Sequence, residues 1–246
     1  MRRSKRGCVS CFIHHKADRK LRLSIGKIIM ALSAVEKQAR KVQEFRQREA
    51  NILVAALELF SEHGEDRVTV EMIADHVGIG KGTIYKHFRS KSEIYLRLML
   101  DYERDLADLF QSPKISEDKE ALSRAYFEFR MQDPGKYLLF SRLEDKLTKS
   151  SSEPEMLEEL HRFRARNLES LTDLIKSRID ENKLEDVPSY FHYCAHWALV
   201  HGAAALYQSP FFQEVIQDKD EFFAFLMDIG VRMGNRGQRG RNRDEA

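Results

Sequence analysis

Apolar positions recur three and four residues apart along most of the chain, the spacing of one helical face. Ile52, Leu53, Ala56, Leu57 and Phe60 form the first such stripe, in a helix predicted over residues 35–63 and closed by His63-Gly64. Thr69 is a good N-cap for a short second helix, with Glu71 and Asp75 early in it and Ile73 and Val77 on one face. Gly78 supplies the left-handed backbone of a tight turn, and a third helix follows to Phe88, with Ile84 and Phe88 inward. Ser90 and Glu93 read as a capping box for a fourth helix through Ile94, Leu98 and Tyr102 to Phe110.

Gln111-Ser-Pro113-Lys breaks the pattern. Further helices are predicted over 117–131, from about Tyr137 to Leu143, over 155–182, over 188–207 and over 218–233, separated by Asp133-Pro134-Gly135 and a polar loop at 149–154. Arg162, Arg164 and Arg166 read as a solvated face of the long helix. The helix begun by Pro188 is apolar nearly all round, and Gly202-Ala-Ala-Ala205 lets a second helix approach closely.

Residues 69–88 thus form two short helices joined by a tight turn. The outward set of the second is Lys81, Gly82, Thr83, Tyr85, Lys86 and His87, with no acidic residue. That mixture suits a helix entering a DNA major groove: lysines meet phosphates or guanine edges, the hydroxyl meets phosphate, and glycine lets the backbone come close.

Ala56-x-x-Leu59-Phe60-x-x-x-Gly64, then Thr69-Val70-x-x-Ile73-Ala74-x-x-Val77-Gly78-Ile79-x-Lys81-Gly82-Thr83-Ile84-Tyr85-x-His87-Phe88-x-Ser90-Lys91, closely resembles the DNA-binding region of the TetR family of bacterial transcriptional regulators. The resemblance covers about residues 46–100; the rest fits only in its helical layout. It implies an all-α homodimer with an N-terminal helix-turn-helix domain on a palindromic double-stranded operator. A larger C-terminal domain would bind a small effector that releases the DNA. It implies DNA contacts by Thr69, Lys81, Gly82, Thr83, Tyr85, Lys86, His87 and Lys91: phosphates for Tyr85, His87 and Lys91, bases for Lys81, Gly82 and Lys86. Dimerisation would use the two C-terminal helices.

The expected organisation is a basic extension without regular structure (1–34), a helix-turn-helix domain with its linking helix (35–110), an effector and dimerisation domain (111–233) and an unstructured Gly/Arg-rich tail (234–246). Met30-Ala-Leu-Ser resembles the start of the short arm of family members, so a translation start there is an alternative for the extension.

At 246 residues, 42% apolar and 33% charged, the composition is that of a soluble globular protein, expected in the cytoplasm. No apolar run approaches the ~20 residues of a membrane span, and three cysteines make no disulfide framework. The net charge of +2 hides an asymmetry: residues 1–50 hold 14 Lys/Arg against 4 Asp/Glu, and the other 196 hold 27 against 35. The basic end lies beside the helix-turn-helix, where an electrostatic footprint for DNA belongs. Arg40, Lys41, Arg46 and Arg48 are within it.

The effector site has no motif. Tyr126, Arg130, Tyr137, Phe140, Phe163, Trp197 and His201 are the aromatic, cationic and hydrogen-bonding candidates, and they favour an apolar or aromatic effector with an anionic end at Arg130. Two metal readings compete with a metal-free one: Cys8, Cys11, His14 and His15 in the extension, and His192 with His196, four apart on one helix, in a metal-responsive regulator. An effector-independent DNA binder is the other alternative. No phosphate-binding loop, dinucleotide fingerprint or nucleophile elbow is present, so no enzyme and no cofactor is expected.

Overall fold

The computed structural model describes residues 9–112, 115, 121–150 and 153–235, without the side chains of 9–34, 149 and 150. Cys8 and the side chains of Cys11, His14 and His15 lie outside the described residues, as do the break at Pro113 and the tail from residue 236. The chain divides into two units, 1–51 and 52–246.

The described residues of the first unit form one helix. It is the leading part of α1 (Val9–His63), which runs on into the second unit. Regular backbone therefore starts at Val9, not near residue 35 as the pattern suggested. Residues 9–51 contain no proline and one glycine, and are rich in the straight-chain residues and alanine that lose least on entering a helix. Polar composition there marks a solvated helix, not a lack of structure. From Val35 to Arg48 every side chain is exposed, Arg40, Lys41, Arg46 and Arg48 included, and Arg40 Nε donates to Glu44 at 2.8 Å.

The second unit holds the end of α1 with α2 (Val70–Val77), α3 (Lys81–Ile84), α4 (Lys91–Phe110), α5 (Ala121–Met131), α6 (Pro134–Ser150), α7 (Pro154–Asp180), α8 (Ser189–Gln208), α9 (Pro210–Val215) and α10 (Lys219–Arg232). Every element of regular structure among the described residues is helical; Leu184 and Asn235 form an isolated bridge. The protein is all-α. The short helix α9 has no counterpart in the predicted elements; Pro210 opens it at a position that needs no N–H.

Ile52, Ala56, Leu59 and Phe60 of α1 pack with Ile73, Ala74, Ile84 and Phe88, and with the inward stripe of α4, Ile94 to Tyr102. A second cluster joins α5, α6, α8 and α10 through Phe127, Met131, Tyr137, Val200, Ala203, Ala204 and Leu226. A third, Leu106, Phe110, Ile115 and Leu122, is smaller and faces a cavity.

The caps behave as the sequence indicates. Thr69 Oγ1 accepts the Met72 N–H at 3.3 Å, and Ser90 Oγ accepts that of Glu93 at 3.1 Å. Glu93 reaches back to the N–H of Arg89, one residue before the cap. Gly78 sits at φ +72°, donating to Asp75 O while Ile79 donates to Ala74 O. A side chain in this left-handed conformation costs about 1–2 kcal/mol. Gly78→Ala is therefore expected to destabilise the protein by about 1 kcal/mol, read as a lower urea midpoint at unchanged slope.

Candidate nucleic-acid interface and ligand cavity

Helices α2 and α3, with the turn at Gly78, make the predicted helix-turn-helix. Ile84 and Phe88 are buried, and Lys81, Gly82, Tyr85 and Lys86 are exposed, with Tyr85 at 48%. Thr83 and His87 are half-buried, and Thr69 is exposed at its cap. The α-helix proper ends at Ile84 rather than Phe88. Lys86 and His87 continue it with bonds to residues three back, Thr83 and Ile84, which tighten the last turn. Four of the six residues of the predicted outward set are thus exposed, and two are half-buried.

Lys81 is not idle on this surface. Its ammonium is paired with Glu71 and lies 5.9 Å from the Tyr85 ring centroid. The hydrogen bond holds the Lys81 pKa above its usual value and that of Glu71 below. Both groups are exposed, so the pair is weak in water and a phosphate or guanine edge competes for the same N–H groups.

Lys91 is placed differently from what the family resemblance implies. Its Nζ donates to the carbonyls of Glu65 and Val68, both at 2.8 Å, and Tyr95 Oη donates to the same Glu65 oxygen at 3.0 Å. Burial, then the like charge of Lys146, hold its pKa below the usual lysine value. Two of its three N–H groups thus staple the loop between α1 and α2. Lys91→Met leaves those carbonyls short of a donor, at about 1–3 kcal/mol. The expected result is a clear drop in melting temperature by scanning calorimetry. An unchanged melting temperature with weakened DNA binding would return Lys91 to the phosphate role.

The second feature lies between α4, α5, α6, α7 and α8: a cavity of about 400 Å³. Of the predicted effector residues, Tyr126, Arg130, Tyr137, Phe140 and Trp197 line it. Two do not. Phe163 packs against the first core cluster, with Arg166 over its ring at 5.0 Å. His201 lies behind the wall, stacked on Trp197 at 4.8 Å and edge-on to Tyr137 at 5.8 Å, one helical turn past the lining part of α8.

Polar lining that the sequence did not reveal comes from α4 and α7. Arg164 Nε donates to Glu103 Oε1 at 2.9 Å and its other end is paired with Glu144. Asn167 Nδ2 donates to the carbonyl and carboxylate of Glu103, at 2.9 and 3.1 Å. Arg164 is therefore not part of a solvated face: a buried carboxylate needs a partner, and Arg164 supplies it. The partners are 61 and 64 residues apart, beyond any local pattern. One clue was available, since Glu103 falls on the inward phase of α4 set by Met99, Tyr102 and Leu106.

Two of the α8 histidines are hydrogen-bonded within the protein. His192 Nε2 bonds Glu185 O at 3.0 Å; His196 Nδ1 bonds His192 O at 2.8 Å, and its Nε2 lies 2.9 Å from both Gly230 O and Ser123 Oγ. Burial holds the His196 pKa below its usual value, although the two carbonyls pull the other way. Among the described residues no group of three or more His, Cys, Asp or Glu side chains could hold a metal ion.

An outward cationic face on a helix-turn-helix, beside a separate cavity, defines a DNA-binding transcription regulator rather than an enzyme. Residues 52–98 match the family model for bacterial regulatory proteins of the tetR family, and 120–229 match a tetracyclin repressor-like C-terminal domain. The chain belongs to the TetR family. It is 32% identical over 101 residues to the nucleoid occlusion factor SlmA of Haemophilus ducreyi, covering 39% of this chain and 49% of that protein. It is 31% identical over 98 residues to the HTH-type transcriptional activator FasR of Mycolicibacterium smegmatis, covering 38% and 45%. The chain thus spans about half the length of these curated relatives. The fold matches a tetR-family regulatory protein from Rhodococcus RHA1 at TM-score 0.60 and 17% identity, covering 76% of this chain and 96% of that one. It matches FadR of Bacillus subtilis, solved with stearoyl-CoA, at TM-score 0.56 and 18% identity, covering 74% and 97%. Among the described residues no helix is long and apolar enough to cross a membrane.

Proposed function

We propose that this regulator is a cytoplasmic homodimeric repressor that binds a palindromic operator and is released from it by a small, largely apolar effector. The observation that carries effector control is the cavity of about 400 Å³, within the ~300–1,000 Å³ typical of small-molecule sites. A packed C-terminal domain would have favoured an effector-independent binder, the reading nearest the name of SlmA. Effector binding shifts the population towards dimers whose reader helices no longer match one duplex.

An apolar stripe on α8 supports the dimer. Phe191 (50% exposed), Cys194, Ala198, Gly202 and Ala205 recur at helical spacing and face outward, and Phe225 of α10 is 55% exposed. Such a stripe on a single chain is what a partner helix covers.

The test is fluorescence anisotropy with duplex from the gene's own upstream region, together with a reporter carrying that region. Binding should fall steeply between 50 and 200 mM salt, by about 10³–10⁵ for ~6–10 phosphate contacts. Deleting the gene should raise reporter expression. Salt-insensitive binding would count against the operator reading, and a fall in expression would make the protein an activator.

A further inference from the structure

Arg130 is held differently from the other two arginines of the cavity. Three arginines, 130, 164 and 178, line it together with two glutamates, 103 and 144. Both glutamates are taken by Arg164. Arg178 donates to the Ile115 carbonyl at 2.8 Å. The Arg130 guanidinium instead sits among rings, its Cζ 5.0 Å from the centroid of Tyr102, 5.1 Å from Tyr137 and 5.2 Å from Tyr126. The Tyr102 hydroxyl bonds the guanidinium and the Glu103 carboxylate favours its charge, but the ring faces accept none of its in-plane N–H groups.

Two buried donors here have no hydrogen-bond partner among the described residues: Arg130 Nε and Tyr137 Oη. Tyr137 is only 5% exposed. Buried unpaired donors are costly and call for an acceptor. Next to them, Leu106, Phe110, Leu122 and Leu171 give an apolar wall that offers no polar partner.

We propose that the effector is an amphiphilic monocarboxylate, its carboxylate accepting from Arg130 Nε–H and Tyr137 O–H and its apolar body lying along the Leu106–Phe110 wall. The two oxygens of a carboxylate match the two unpaired donors one for one. This rests on the effector reading above and narrows it to one chemical class.

The test is binding to the full chain, followed by fluorescence of Trp197, the sole tryptophan, which lines the cavity. The probes are straight-chain acids of six to twelve carbons, 4-phenylbutyrate, and the primary alcohol and alkyl phosphate matching each. The acids should bind about tenfold or more tighter than their alcohols, as expected of hydrogen bonds to a charged group, and tighter than the phosphates. Arg130→Gln should remove about tenfold or more of acid affinity and Tyr137→Phe about fivefold, both sparing the alcohols. If Arg130→Gln fails to fold, the acid-to-alcohol ratio of the unaltered protein still decides. Alcohols or phosphates binding as tightly as acids would overturn the carboxylate assignment and leave the effector reading standing. Absence of binding by every probe would overturn both.

Discussion

Lys86→Glu is expected to abolish measurable operator binding while leaving the protein folded. Lys86 is exposed on the face that carries Lys81, Gly82 and Tyr85, and Ile84 and Phe88 anchor that face from beneath. A specific base contact is worth about 1–3 kcal/mol, so losing one in each half-site removes about 1.5 to 4 orders of magnitude. The reversed charge adds repulsion from phosphate. Anisotropy titration reads the loss, and circular dichroism should show an unchanged melting curve. Lys86→Ala is the milder companion: it should alter base preference rather than remove binding to every sequence alike. If Lys86→Glu binds as well as the unaltered protein, this face does not meet DNA.

The second large effect is expected from Ala198→Arg on α8. It places a charge in the middle of the outward apolar stripe formed by Phe191, Cys194, Gly202 and Ala205. In a monomer the new side chain is solvated and harmless. In a dimer it must be buried without a partner, at a cost that separates the chains. Operator binding then collapses as well, because two half-sites engaged together gain an effective-concentration advantage that single chains lose. Light scattering after size exclusion should show one-chain mass for the variant and two-chain mass for the unaltered protein. A variant that keeps two-chain mass would move the interface away from α8.

What could be read from the sequence follows from how local each signal is. The helix-turn-helix depends on residues within twenty positions of one another, and the Thr69 cap, the Gly78 turn and the inward Ile84 and Phe88 appear as read. Lys91 could not be placed this way. The carbonyls it holds belong to a loop more than twenty residues earlier, and nothing in the spacing marks them as its partners. The cavity divides along the same line. Bulky aromatic residues on the right helices were visible as candidates, while the Glu103–Arg164–Asn167 group forms only when α4 and α7 meet. The length of α1 is not legible from its exposed polar composition, which a solvated helix shares with an irregular segment; the helix propensity of its residues is the signal that separates the two.

Selection of bound sequences from a pool of random duplexes tests the central claim most directly, because it presumes nothing about the operator. Two copies of the Lys81–His87 surface, related by a two-fold axis, should enrich an inverted repeat. Its half-site centres should lie about 10 base pairs, or a multiple of that, apart. Enrichment of a single unrepeated element, or no enrichment over the starting pool, would contradict the account.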